Sequence, residues 1–225
     1  MAFTAAPVFV QTPRRYAAAI VAGDASAWKL IHTGFPGIGA GPNGTKIVSL
    51  SATSTDTSAR DVQLAYARQA VVTMTSATPG VVSWPGHMFS NGNQVIFTTT
   101  GALPTNVVAG TTYFVIASNI AAGTFEIAAT FGGAAIDMLA GTQSGVQTGY
   151  VVRPITTVSV PITAGTVSTA PSANLLNSTN TPGFPIDNDG QSYLFLESID
   201  WLAVSATATV TAAKIIVVTG VGADF

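Results

Sequence analysis

The sequence predicts an all-β protein: a jelly-roll-like β-sandwich built from residues 1–74 and 151–225, with a small β-module, residues 75–150, inserted into one of its loops. Three observations predict it. First, apolar and polar residues alternate with a period of two along many short segments, which is the pattern of half-buried strands. Second, β-branched residues dominate, with 31 Thr, 24 Val and 15 Ile among 225 residues, and no 3.6-residue apolar stripe is sustained anywhere. The best helical stretch, Ala17 to Ala22, stops at Gly23. Third, after Arg68 the next basic residue is Arg153, and the span between them holds only two acids, Glu126 and Asp137. That break in charge marks residues 75–150 as a separate module, and insertion is tolerated where the loop ends of the parent lie close together.

Taken in order, Thr45 to Ala52 reads as a strand with Lys46, Val48, Leu50 and Ala52 on one face. Asp61 to Thr73 follows, with Val62, Leu64, Tyr66 and Arg68 on one side. Val62, Leu64 and Tyr66 are expected to face a core, and Asp61, Gln63 and Gln69 to face water. The central module shows short strands at Val81–Trp84, Gln94–Thr98, Thr111–Ala117 and Thr124–Ala128, parted by Gly- and Asn-rich turns such as Ser90-Asn91-Gly92-Asn93. Beyond it, Thr156–Ile162, Ser192–Leu196, Trp201–Ala206 and Lys214–Gly220 complete the set. Gly34 to Gly44, Asp187-Asn188-Asp189-Gly190 and Pro171 to Pro185 read as turns or loops. The last of these has no periodicity, and a loop of that length marks a functional or interaction segment.

Composition excludes several functions. Only 8% of residues are charged and the net charge is −2, so there is no basic footprint for nucleic acid. No apolar run is long enough to span a bilayer as a helix, and the start MAFTAAPVFVQTPRR does not read as a secretory signal. There is no Cys, hence no disulfide and no thiolate metal site. Two His and two Glu leave few groups for acid–base chemistry, so a structural or binding protein is favoured over an enzyme.

The candidate sites are weak on chemical grounds. Gly39-Ala40-Gly41-Pro42-Asn43-Gly44 matches G-x-G-x-x-G, but strand sequence follows where a dinucleotide site needs a helix N-terminus. Asp187-Asn188-Asp189-Gly190 starts like a calcium loop. With Gly190 at the sixth position, however, the first and twelfth are Pro185 and Leu196, which supply no side-chain oxygen. An Asx-type turn is the simpler reading. His32 and His87 stand alone, with no zinc spacing. Glu197 and Asp200 beside Trp201 suggest a carboxylate pair near a stacking aromatic, but packing is favoured. No catalytic, cofactor or metal residue is assigned. The segment Met1 to Arg15 combines Phe3, Val8 and Phe9 with Pro7 and Pro13, and ends on Arg14 and Arg15. It is expected to lie as an extended arm on a neighbouring subunit.

Residues 83–148 carry a series of motifs: Gly86-His87, Ser90-Asn91-Gly92 before Val95-Ile96-Phe97, TTTGALPT, GTTYFV, TFEIA, GGAAI and GTQSGVQT. Together they resemble a small β-module that recurs in virion proteins of tailed bacteriophages. The flanks are similar to phage β-sandwich proteins through Gln11-Thr12-Pro13, Asn43-Gly44-Thr45-Lys46-Ile47 and the terminal Gly222-Ala223-Asp224-Phe225. The resemblance implies a non-enzymatic structural protein on the outer surface of a phage particle, most simply a head decoration protein. Its partners would be the major capsid protein or other virion proteins, and its assembly a homotrimer, with no nucleic acid, membrane or cofactor. The alternatives are a tail, baseplate or fibre component, or a carbohydrate-binding β-sandwich module.

Overall fold

The computed structural model describes residues 12–33, 44–139, 141–177 and 184–224. It is all-β, with two antiparallel sheets and no α-helix among the described residues. Two compact units divide the chain: Met1–Ser26, Leu30–Leu64 and Thr156–Phe225 form the first, and Ala27–Lys29 with Ala65–Ile155 form the second. The second unit is therefore wider than the span 75–150 read from the sequence.

The six-stranded sheet belongs to the first unit. Its strands are β1 (Thr12–Val21), β3 (His32–Thr33), β4 (Thr45–Ser54), β11 (Ala173–Asn174), β12 (Leu194–Leu196) and β14 (Ile215–Asp224). The order is β11-β4-β14-β1-β3, with β12 also on β4. Strand β1 takes up most of Ala17–Ala22, the best helical candidate in a sequence that shows no sustained helix. Ala17, Ala18 and Ala19 pair with Thr219, Val218 and Val217, and only Ala22–Asp24 forms a 3-10 turn. Alanine's helix preference is small, and ten residues of ladder override it. Strand β1 also takes in Thr12 to Arg15, which the sequence assigns to the arm.

The face expected for β4 is corrected midway. Thr45 and Ile47 are buried, Val48 and Ser49 are exposed, and burial resumes at Leu50 and Ala52. The pairing with β14 shows why. Val221 lies opposite Ser49 and Gly222 opposite Ile47, so Val48 is an extra residue, a β-bulge. One inserted residue moves every side chain before it to the other face. Gly220 and Gly222 permit the close approach: a Cβ on either would sit 2.6 Å from a β4 carbonyl oxygen, that of Ser49 or Lys46.

A second change of phase occurs in β5 (Arg60–Met74). Val62 and Leu64 are buried as expected, but Ala65 and Ala67 follow in place of Tyr66 and Arg68, and Val72 and Met74 restore the even face. The switch falls at Leu64/Ala65, where the chain passes from one unit to the other.

The remaining strands are β2 (Lys29–Leu30), β6 (Val81–Ser83), β7 (Gln94–Thr99), β8 (Thr112–Asn119), β9 (Thr124–Ala128), β10 (Gln147–Val160) and β13 (Asp200–Ala206). With β5 they form the second sheet, in the order β10-β7-β8-β9-β6-β5-β13-β2. Strand β10 also pairs with β5, so the path from β10 to β5 closes on itself. In the second unit, Val72, Met74, Val82, Trp84, Phe89, Val95, Phe97, Tyr113, Val115, Phe125, Ile127, Met138 and Val151 pack as one buried cluster. In the first, Tyr16, Ile20, Ile47, Leu50, Leu64, Leu202, Val204, Ile216 and Val218 are all buried.

Candidate functional site

Of the residues expected to make contacts, Phe3, Val8 and Phe9 lie outside the described residues. Arg14 and Arg15 are neighbours on β1, so their side chains leave opposite faces of the sheet. Arg14 is turned to an internal task. Its Nε donates to Asp224 Oδ2 at 2.6 Å and its terminal nitrogen pairs with the same oxygen, while Thr45 Oγ1 donates to Asp224 Oδ1 at 2.6 Å. Asp224 is buried, so this cluster ties the start of β1, the start of β4 and the end of β14 together. Arg15 is exposed.

Other cations are similarly placed. Arg60 Nε donates to the fully buried Asp56 at 2.8 Å. Asp56 also accepts from Ser58 N, Thr211 N and Thr211 Oγ1. Burial raises the pKa of this carboxyl, but the bonds from Arg60, Thr211 and Ser58 outweigh that and hold it well below the usual carboxylate range. Lys46 stands 3.6 Å from Asp187 and 4.3 Å over the Tyr193 ring.

His87 and the candidate carboxylates serve the fold. His87 is buried among Phe89 and Phe125; its Nδ1 accepts from Phe89 N and its Nε2 faces Thr124 O, both at 3.2 Å. A carbonyl on one nitrogen and an N–H on the other assign the Nε2–H tautomer. The side chain of His32 lies outside the described residues. Asp200 Oδ2 accepts from Glu197 N, and Asp200 N donates back to Glu197 O, which makes the pair a turn. Asp187–Gly190 is the Asx turn: Asp187 Oδ1 accepts from Asp189 N and Gln191 N, and Gly190 takes φ of 77°. The Gln191 N–H leads in drawing the Asp187 carboxyl below its ordinary pKa, with Asp189 N–H and Lys46 adding to it against desolvation. Residues 39–43 of the glycine motif lie outside the described residues. No group of three or more His, Asp or Glu among the described residues is placed to hold a metal ion.

The motif residues of the central span act as staples of the second unit. Ser90 N donates to Asn93 Oδ1, and Gly92 N to Val115 O. Ala102 and Ser144 bridge, as do Ala128 and Ala135. Gln143 Nε2 reaches Met74 O at 2.6 Å, and Gln147 Nε2 reaches Ala102 O and Ser144 O. Trp28 joins this unit by donating its indole N–H to Gln94 Oε1.

One feature escaped sequence reasoning. Beside the β4 bulge lies a cleft of about 520 Å³, lined by residues from 48–51, 172–177 and 190–192. Its polar lining is hydroxyl and amide, contributed by Ser49, Ser51, Ser172, Asn174, Gln191 and Ser192 among others, and no described residue lining it is charged. Three distant segments supply these common residues, so no spacing pattern could announce them.

No protein-family model, no curated protein and no solved structure matches the chain.

Proposed function

We propose that the chain is a non-enzymatic structural protein of a tailed-bacteriophage particle, a head decoration protein that binds the capsid lattice from outside as a homotrimer. In this reading the first unit is a jelly-roll-like sandwich and the second an inserted module. The observation that carries it is the use made of the motifs behind the resemblance. Ser90-Asn91-Gly92-Asn93, Gln143 and Gln147 close turns and join strands within one compact unit, as a structural insert requires. The polar groups elsewhere agree: His87, Asp56, Asp200 and Asp224 are each bound into the fold, which leaves them poorly placed to act as a nucleophile or base.

Contacts with the lattice would rest on hydroxyl and apolar surface, because Arg14, Lys46 and Arg60 are engaged within the chain. Arg15 and the residues before Thr12 remain for docking. Gold labelling of purified particles tests the location. Label on the head is expected; label on the tail would replace this reading with a tail or fibre component, and unlabelled particles would refute a virion role. Removing residues 1–11, which spares β1, is expected to abolish particle binding while the free chain stays folded. Unchanged binding would reject the arm. In this reading the first unit faces the lattice and residues 75–150 project toward solvent, so hydrogen exchange on assembled particles should protect the first unit more; the reverse would overturn that orientation.

A further inference from the structure

We infer that the cleft beside the β4 bulge is a binding site for a neutral carbohydrate chain. Three observations converge on it. The first is size: about 520 Å³ falls within the range of small-ligand sites, roughly 300–1,000 Å³.

The second is chemistry. Ser49, Ser51, Ser172, Asn174, Gln191 and Ser192 offer hydroxyls and amides that both donate and accept, which is what a polyhydroxylated ligand presents in return. With no Lys, Arg or His in the described lining there is nothing to neutralise a phosphate, sulfate or carboxylate, and with no Asp or Glu nothing to attract a cation. Asn174 is already oriented: its Oδ1 accepts Leu176 N at 2.9 Å, so its Nδ2 hydrogens are the groups left to donate. Val48 adds a small apolar surface for the C–H face of a sugar ring, and the bulge is what turns it outward, to 48% exposure.

The third is construction. Paired backbone frames much of the described lining. The Asx turn fixes Gln191 through Asp187, and β11 pairs Asn174 with Ser51. That same pairing argues against the other neutral ligand, an extended peptide added as a strand. The outer edge of β4 is already taken by β12 at Thr45–Ile47, by Leu175 N on Leu50 O, and by β11 at Ser51–Ala52. That leaves a peptide at most Val48 and Ser49, at the bulge itself, which is too short a stretch for strand addition.

The test uses the full chain, free in solution, and so is independent of the virion reading. A glycan array identifies neutral binders, and the ¹⁵N-labelled chain is then titrated with chitohexaose, maltoheptaose and the best array hit. Sialyllactose and a Ser/Asn-rich decapeptide serve as comparisons. At least one neutral glycan should shift the amide signals of Ser49, Ser51, Asn174, Gln191 and Ser192. Two exposed substitutions, Q191A and the cleft-filling S49W, should each weaken binding at least tenfold while leaving signals of the second unit in place. The inference is overturned if no neutral glycan binds, if shifts fall elsewhere, if sialyllactose or the peptide is preferred, or if both folded variants bind as the parent does.

Discussion

The boundary of the second unit yields a prediction that its core can be made to decide. The charge break and the run of short strands place a module at 75–150, whereas the compact unit runs from Ala65 to Ile155, with Ala27–Lys29 in addition. The difference matters because Val72, Met74 and Val151 lie in the extra residues and are 2%, 6% and 3% exposed. Burying a Val or Met side chain contributes about 1.5–3 kcal/mol, so a fragment 75–150 forgoes roughly 4.5–9 kcal/mol. A whole domain is stable by only about 5–15 kcal/mol. The short fragment also loses the Thr73–Ser83 and Met74–Val82 pairs of β5 with β6, and the Val151–Val95 pair of β10 with β7. Fragment 65–155 should therefore give a dispersed amide spectrum and a cooperative urea transition, and fragment 75–150 should give neither. Trp28 is absent from both, so the comparison cancels it. Equal dispersion and equal urea midpoints for the two fragments would refute the argument.

Three further outcomes follow from single side chains. Asp56 has a folded pKa held below its unfolded value of about 3.9, so its contribution is complete above that value and is lost as pH falls through the folded pKa. D56N should lower stability at pH 7 by about 3 kcal/mol, the low end for breaking a buried pair, because Arg60 keeps some exposure. Its urea midpoint should then fall less steeply than the parent's below pH 4; parallel pH profiles would count against this. R14A strands the buried Asp224 and should lose about 2–3 kcal/mol, whereas R15A should stay within about 0.5 kcal/mol in the same denaturation assay. G149A places a Cβ 2.7 Å from Trp84 Cζ3 and 3.2 Å from Val72 Cγ1, and overpacking of this kind should lower stability by about 1–3 kcal/mol, with a perturbed Trp fluorescence spectrum.

Strand positions were largely legible because period-two alternation with β-branched residues is a local signal. Expected Gln94–Thr98 against observed Gln94–Thr99, and Thr124–Ala128 in both, show how well it serves short strands. It fails where a strand is made by its partners. Alanine-rich β1 has almost no alternation of its own and is held by ten pairs to β14. Strand β10 begins nine residues before the expected Thr156, because the ladder to β7 runs through Gln147–Val152. Faces were less legible than strands. At Val48 one residue slips against β14, and the inward set changes parity. A pattern reader that assumes constant phase must then choose one half of the strand and misread the other.

The same limit governs the site. Residues that act through sequence spacing, such as metal ligands or a phosphate loop, can be sought by pattern, and the structure then shows what His87 and Asp187 bond to. Residues that act through convergence leave no such trace. Ser49, Asn174 and Gln191 come from three separate segments and are ordinary on a surface already rich in Ser and Thr. What distinguishes them is position: a bulge that turns Val48 outward, a two-residue strand that presents Asn174, and an Asx turn that holds Gln191. Each of these devices interrupts the regular sheet, and irregularity of this kind collects where a surface is shaped for contact. In a chain this poor in charge, recognition has to be built from hydroxyls, amides and shape, and the edge of β4 is where the described fold assembles all three.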